Sequence, residues 1–71
     1  MFGRTEVDEI EKLRVLIPHW IEHNAEHAEE FRRWAEQAGA ARADLEAAAD
    51  ALEAASDHLR AALEKLGGAK G

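Results

Sequence analysis

The chain contains no cysteine, only one proline and no long hydrophobic run. Without cysteine it can form no disulfide, thiolate zinc site or thiol nucleophile, so imidazole and carboxylate groups must hold any metal ion. No segment approaches the roughly 18 apolar residues of a membrane-spanning helix. The N-terminal stretch MFGRTEVDE lacks the basic start and apolar core of a secretory signal. We therefore expect a cytoplasmic protein with no role in the membrane.

Basic residues are also scarce, since 9 Lys and Arg face 15 Asp and Glu and the formal net charge is -6. This balance argues against nucleic-acid binding, which requires clustered Lys and Arg. The 71 residues make one domain at most, and much of the 46% hydrophobic content is alanine, which buries little area. Because a monomer this small is marginally stable, we expect a homo-oligomer, most simply a dimer, or a subunit of a larger complex.

Ala, Leu, Glu and Arg dominate the composition, which predicts an all-α protein. Thr5 and Asp8 have the spacing of a capping box and predict that the first helix starts near residue 6. Pro18 cannot donate a hydrogen bond to the carbonyl of Arg14, so we expect a kink there and a free carbonyl beside the histidines that follow.

Gly39 is the best helix break in the chain. It divides the single domain, residues 1–71, into helix 1 at about 6–38 and helix 2 at about 41–66, followed by a flexible tail at 67–71. We predict an antiparallel two-helix hairpin that dimerises into a four-helix bundle. One continuous rod is the alternative.

Apolar residues recur at heptad spacing in both halves, which predicts the buried seam of the hairpin. In this interpretation Trp20, Phe31 and Trp34 are core anchors. The seam of helix 1 comprises Ile10, Leu13, Ile17, Trp20, Asn24, His27, Phe31, Trp34 and Ala38. The seam of helix 2 comprises Leu45, Leu52, Leu59 and Leu66, with Ala41, Ala48, Ala55 and Ala62 each four residues earlier.

Residues 19–30, HWIEHNAEHAEE, repeat His-x-x-Glu three times, at His19/Glu22, His23/Glu26 and His27/Glu30. Histidines four apart on a helix lie about 5 to 6 Å from each other, close enough to share an ion. The first and third lie about 12 Å apart along the axis. One ion can therefore be shared by two neighbouring histidines of this row but not by all three.

A chain that folds back at Gly39 brings His58 level with residues 20–24, so we expect the fourth histidine to complete a metal site. The main ligands in this hypothesis are His19, His23 and His58. The full set of candidate metal ligands is His19, His23, His27, His58, Glu26 and Glu30. Imidazole and carboxylate together suit a divalent transition metal such as nickel, zinc, cobalt or iron. Storage, delivery or metal-linked assembly would follow.

Other interpretations of the same residues remain open. The histidines could form a solvated or pH-responsive face of a structural subunit that docks on a larger complex. Asn24 and His27 could be buried polar residues that fix the register of the seam. A ferritin-like di-iron catalyst is disfavoured because such sites use Glu-x-x-His, the reverse of the order found here. No nucleophile with a paired base and no phosphate loop is present, so we expect no enzymatic activity.

The stretch LRVLIPHWIEHNAEHAEEFRRWAEQA, residues 13–38, resembles a small prokaryotic family of helical proteins with the signature Leu-Ile-x-His-Trp-x-x-His-Asn-x-x-His. The signature residues present are His19, Trp20, His23, Asn24 and His27. Segments of this kind occur near, or fused to, nickel-binding accessory proteins of carbon monoxide dehydrogenase maturation. The resemblance implies binding of nickel or a related divalent metal.

Overall fold

The computed structural model describes residues 2–70, and describes side chains from residue 8 onward. The chain forms helix α1 (Phe2–Ala35), a short 3-10 helix (Gly39–Ala41) and helix α2 (Arg42–Lys65). The two long helices pack against each other in antiparallel directions, which confirms the all-α helical hairpin. The backbone is already helical at Phe2, so Thr5 lies inside α1 and does not begin it, although its side chain lies outside the described part.

The turn between the helices lies at the glycine that the sequence singles out. α1 ends in three-residue turns, in which the Gln37 N–H donates to the Trp34 carbonyl at 3.0 Å and the Ala38 N–H donates to the Ala35 carbonyl at 3.2 Å. Gly39 then adopts a φ of 56°, a left-handed conformation that glycine reaches without a steric penalty. The chain reverses at this point, as predicted.

Pro18 lies inside α1, which continues through it as one helix. Because proline has no N–H, the carbonyl oxygen of Arg14 has no donor four residues ahead. That oxygen instead accepts a hydrogen bond from the backbone N–H of Lys70 at 3.3 Å. The free carbonyl predicted from the sequence is therefore used by the C-terminal end of the same chain.

The segment after α2, which we name the clasp (residues 66–70), packs back onto α1. Gly67 and Gly68 have φ values of 108° and 87°, and the Gly68 N–H donates to the Leu63 carbonyl at 2.9 Å, as in a Schellman cap. Arg14 Nε donates to the Gly68 carbonyl at 2.7 Å. We predicted a flexible tail here, but residues 67–70 are held against α1 by these bonds.

Lys70 adds an ion pair to the clasp. Its Nζ atom donates to Glu11 Oε2 at 2.7 Å. This hydrogen bond, together with the charge of Lys70, lowers the pKa of Glu11 from its ordinary value of 4.5. The two ends of the hairpin are therefore joined by both backbone and side-chain contacts.

The seam between the helices is narrow and built mainly from small residues. Among the described side chains, the buried apolar residues are Ile17, Ala28, Ala35 and Ala49. Alanine lets two helices approach closely but contributes little hydrophobic free energy. The monomer therefore has a thin core, as the sequence indicated.

The tryptophans do not belong to this core. Trp20 is 43% exposed and Trp34 is 61% exposed, so the prediction that they are core anchors is wrong, while Phe31 is half-buried. Ile17 is buried as predicted, but at the alternate seam positions the buried residues stand one place later, with Ala28 and Ala35 buried where His27 and Trp34 were expected. Because one seam position of each heptad is kept and the other shifts by one residue, or about 100°, the buried side of α1 is turned by roughly half that angle relative to the predicted seam.

The hairpin is elongated, with dimensions of 56 × 17 × 16 Å and a radius of gyration of 16.0 Å. A typical compact domain of this length has a radius of gyration of about 11 Å. Neither of the two described helices is apolar over a stretch long enough to cross a membrane.

Candidate functional site

Three histidines lie in a row on the exposed surface of α1, which we call the histidine row (His19, His23 and His27). The ring centroids of His19 and His23 are 6.2 Å apart, and those of His23 and His27 are 6.5 Å apart. Both pairs meet edge to face. The helical spacing thus places neighbouring imidazoles side by side, at a distance from which a change of rotamer can direct two nitrogens at one ion.

His27 also contacts an apolar residue and an acid. Its ring stacks on Phe31 with a centroid separation of 6.2 Å and an interplanar angle of 28°. Its Nδ1 atom lies 3.7 Å from Glu30 Oε1, which is beyond hydrogen-bond range. Glu26 is exposed in the same shallow depression as His27 and Glu30, so the two candidate glutamates do lie beside the row.

His58 does not lie beside the histidine row. Its position along the long axis of the hairpin is as predicted, because Asn24 Nδ2 donates a 3.2 Å hydrogen bond to Ser56 Oγ across the seam. Ser56 is buried, with only 4% of its surface exposed, so it marks the side of α2 that faces α1. His58 stands two residues, or about 200°, further around α2 and is exposed.

The same argument applies to the other helix. His19 stands two residues after the buried Ile17 and therefore points away from α2. His19 and His58 are thus on opposite outer sides of the hairpin, and the expected cluster of His19, His23 and His58 does not form within one chain. Within residues 8–70, no group of three or more histidine and acidic side chains is placed to hold a metal ion.

The side chains on one flank of the seam are charged. Arg32 of α1 donates to Glu53 Oε1 at 2.8 Å and to Asp50 Oδ1 at 2.8 Å. These bonds, that to Glu53 first, raise the pKa of Arg32 above its ordinary value. On α2 the charged residues repeat at heptad spacing along this flank. They are Glu46, Asp50, Glu53, Asp57, Arg60 and Glu64.

The opposite flank of the seam is an uncharged face that spans both helices. In an antiparallel pair, residues on the same side of the seam in both helices form one surface. The uncharged residues of α1 and α2 both lie on the side away from the Arg32 contacts and therefore form one continuous face. On α1 it comprises Leu13, Leu16, Trp20, His23, His27, Phe31 and Trp34. On α2 it comprises Leu45, Ala48, Leu52, Ala55, Leu59, Ala62 and Leu66. Each of these side chains is exposed or half-buried.

Sequence reasoning missed this face because its residues occupy the heptad positions of a core. The signal was present, since each helix has three apolar positions per heptad where a simple two-helix seam uses two. On α2, for example, Ala48, Ala49 and Leu52 are all uncharged, and only Ala49 is fully buried. A third apolar position indicates a second direction of packing.

Comparison with known proteins identifies a family but does not indicate a function. The chain matches no curated protein and no solved structure. A family model described as a domain of unknown function, DUF8180, matches residues 13–66. The matched range includes the histidine row, His58 and all of the uncharged face. The chain therefore belongs to the DUF8180 family.

Proposed function

We propose that the protein is a non-enzymatic assembly module, in which two hairpins pair through their uncharged faces to form a four-helix bundle. The observation that carries this proposal is the exposure of Trp20 and Trp34 on a face that is uncharged apart from Glu30, which occupies the heptad position of Leu16 and His23 at its margin. Large apolar side chains gathered on one side of a small protein mark an interaction surface.

The amount of exposed surface supports the pairing. The chain exposes 5443 Å², whereas a compact monomer of 7.8 kDa exposes about 4,400 Å² by the usual scaling with mass. The excess of roughly 1,000 Å² is similar to the area of about 800 Å² that each partner contributes to a standard interface. Burial of the uncharged face would also supply the apolar core that the single hairpin lacks.

The experiment is sedimentation velocity on the purified chain and on single variants. The chain is expected to sediment as a dimer, and Trp20→Glu and Trp34→Glu are each expected to shift it to monomer because they place a carboxylate in the interface. Val15→Glu is the matched control, since Val15 is 49% exposed but points away from the face. A monomeric parent chain, or equal effects of Val15→Glu and Trp20→Glu, would contradict the proposal.

A second candidate function is the binding of a divalent transition metal by the histidine row. The ring distances of 6.2 and 6.5 Å favour it, because neutral imidazole is the commonest protein ligand for zinc, nickel and cobalt. Titration of metal-free protein with each ion by calorimetry tests it. His23→Ala removes the histidine common to both pairs and is expected to abolish binding, whereas His58→Ala is expected to leave it unchanged. Equal loss in the two variants would contradict this function.

A further inference from the structure

We infer that the metal site lies between two copies of the chain, with His23 of both copies and His27 of one copy as ligands. This inference rests on the proposed assembly function and joins it to the histidine row. A single chain offers only pairs of neighbouring imidazoles, and a tightly held transition metal commonly takes three or four protein ligands. The site is therefore incomplete without the second copy.

The order of residues on the α1 part of the face is self-complementary, as a two-fold symmetric interface requires. When two α1 helices pack antiparallel, Leu13 faces Trp34 of the partner copy and Leu16 faces Phe31. Trp20 then faces His27. Large apolar residues meet at both ends of the interface, and the polar histidines meet near its middle.

The α2 part of the face has the same centre. Its leucines pair as Leu45 with Leu66 and Leu52 with Leu59, so the midpoint falls between residues 55 and 56. The hydrogen bond between Asn24 and Ser56 sets residue 24 level with residue 56. The midpoint of the α1 face falls between residues 23 and 24. The two midpoints thus agree to within about one residue, or 1.5 Å along the axis, so one two-fold axis satisfies both helices.

This axis passes level with His23. At a rise of about 1.5 Å per residue, His23 lies within about 1 Å of the axis level and His27 about 5 Å from it. Packed helices are 8–10 Å apart, so side chains from both copies reach the same layer. The two His23 are then nearly level, whereas the two His27 lie about 10 Å apart along the axis on opposite sides of the two-fold, so one ion takes His23 from both copies and His27 from one. Nitrogen ligands of this kind suit a borderline divalent ion such as zinc, nickel or cobalt.

The apolar surroundings and Glu30 contribute to the site. Trp20 of each copy covers His27 of the other and limits access of water, and Phe31 holds the His27 ring from below by stacking. A small side-chain rotation would bring Glu30, now 3.7 Å from His27 Nδ1, into range to accept a hydrogen bond from the ring nitrogen that does not bind the ion. Such an acceptor fixes the orientation of a ligating histidine.

Cobalt(II) tests this site directly, because its visible absorption reports ligand number and geometry. Metal-free protein is titrated with cobalt(II), and the absorption is measured together with the sedimentation coefficient. Tetrahedral absorption that appears only in the dimer, and is lost in both His23→Ala and His27→Ala, is expected. His19→Ala and His58→Ala, which remove histidines outside the site, are expected to keep it.

Cross-linking gives a second readout that does not depend on metal. The chain has no cysteine, so a Leu13→Cys chain mixed with a Trp34→Cys chain reports on the pairing alone. Disulfide-linked heterodimers are expected from the mixture, and little cross-linking from either chain by itself.

The outcomes separate the two proposals. A dimer that binds no cobalt(II), that loses the absorption equally in His58→Ala, or that fails to cross-link between positions 13 and 34 overturns the composite site and leaves the assembly proposal intact. The last result would place α1 against α2 of the partner, where the histidines of the two copies do not meet. A chain that remains monomeric overturns both proposals.

Discussion

The backbone N–H of Lys70 donates a hydrogen bond to the carbonyl oxygen of Arg14, the one that Pro18 leaves without a helical donor. A break in the hydrogen-bond ladder of α1 thus becomes the attachment point for the C-terminal end of the chain. A buried or partly buried carbonyl without a partner costs free energy, so this contact offsets part of the cost of placing a proline inside the helix.

Replacement of Pro18 by alanine is expected to stabilise the helix and loosen the clasp. Proline inside a helix costs about 3 kcal/mol relative to alanine, and part of that is recovered here through Lys70, so we expect a gain of roughly 1–3 kcal/mol in the free energy of unfolding. The new N–H competes for the Arg14 carbonyl. Hydrogen exchange should therefore become faster at the Lys70 amide and stay unchanged at the Gly68 amide, which bonds to Leu63. Unchanged exchange at Lys70 would contradict this account.

The ion pair between Glu11 and Lys70 predicts a pH dependence confined to acid. The folded-state pKa of Glu11 is lowered below 4.5 by the hydrogen bond from Lys70, so its contribution to stability is present above pH 4.5 and is lost as the pH falls through the folded-state pKa. Glu11→Gln should lower the unfolding midpoint at pH 7, and the difference from the parent chain should shrink as the pH falls below 4.5 and through the lowered pKa of Glu11.

Glu22→Gln is the matched control for this measurement, because Glu22 is an exposed glutamate of α1 with no ion-pair partner within the described residues. It removes a carboxylate from the same helix without touching the clasp. A difference for Glu11→Gln that is the same at pH 7 and pH 3 would show that the Lys70 contact does not stabilise the fold.

The hydrogen bond between Asn24 and Ser56 predicts an asymmetry between two alanine variants. Asn24→Ala leaves the hydroxyl of Ser56 buried without its partner, and we expect a cost of about 1 kcal/mol or more. Ser56→Ala leaves the amide of Asn24, which is half-buried and can turn to water, so we expect a smaller cost. A double-mutant cycle by chemical denaturation should give a coupling of about 0.5–1.5 kcal/mol. A coupling of zero would remove Asn24 as a device that fixes the register.

The hairpin and its vertical register could be predicted from the sequence, because both depend on features with few alternatives. Gly39 is the best break in a helical composition, and a turn at that point fixes which residues lie level across the seam. The hydrogen bond from Asn24 to Ser56 agrees with that level. The number of residues between the turn and a given position is sufficient to determine its level across the seam.

The rotation of the helices could not be predicted, because a heptad offers two apolar neighbours for each seam residue. After Ile17, both Trp20 and Ile21 could face the partner helix, and the larger side chain favours Trp20 as the core residue. In the structure Ile21 is the less exposed of the two, and Trp20 remains outside. Size favours tryptophan for burial, but a pair of helices packed on small residues approaches more closely.

The misplaced histidine follows from the same choice. Rotation of a helix about its own axis leaves the level of His58 unchanged and alters the side to which it points. The predicted metal site requires both the level of His58 along the hairpin and the side of α2 on which it lies. Sequence spacing determines only the level. The row of His19, His23 and His27 was predictable because it depends on spacing within one helix.

The rotation of α2 can be tested by placing a larger side chain at a buried alanine and, separately, at an exposed one. Ala49 is completely buried against α1, and Ala51, two residues further, is exposed. Ala49→Leu forces three extra carbon atoms into a close-packed seam, for which we expect a loss of roughly 1–3 kcal/mol in the free energy of unfolding. Ala51→Leu makes the same chemical change at the surface and should stay within about 0.5 kcal/mol of the parent chain.

Urea denaturation of the two variants gives the comparison. Because both substitutions have the same effect on helix propensity, a difference between them reports packing alone. Equal losses would mean that Ala49 does not face α1 and that the seam lies on the side where the sequence first suggested it.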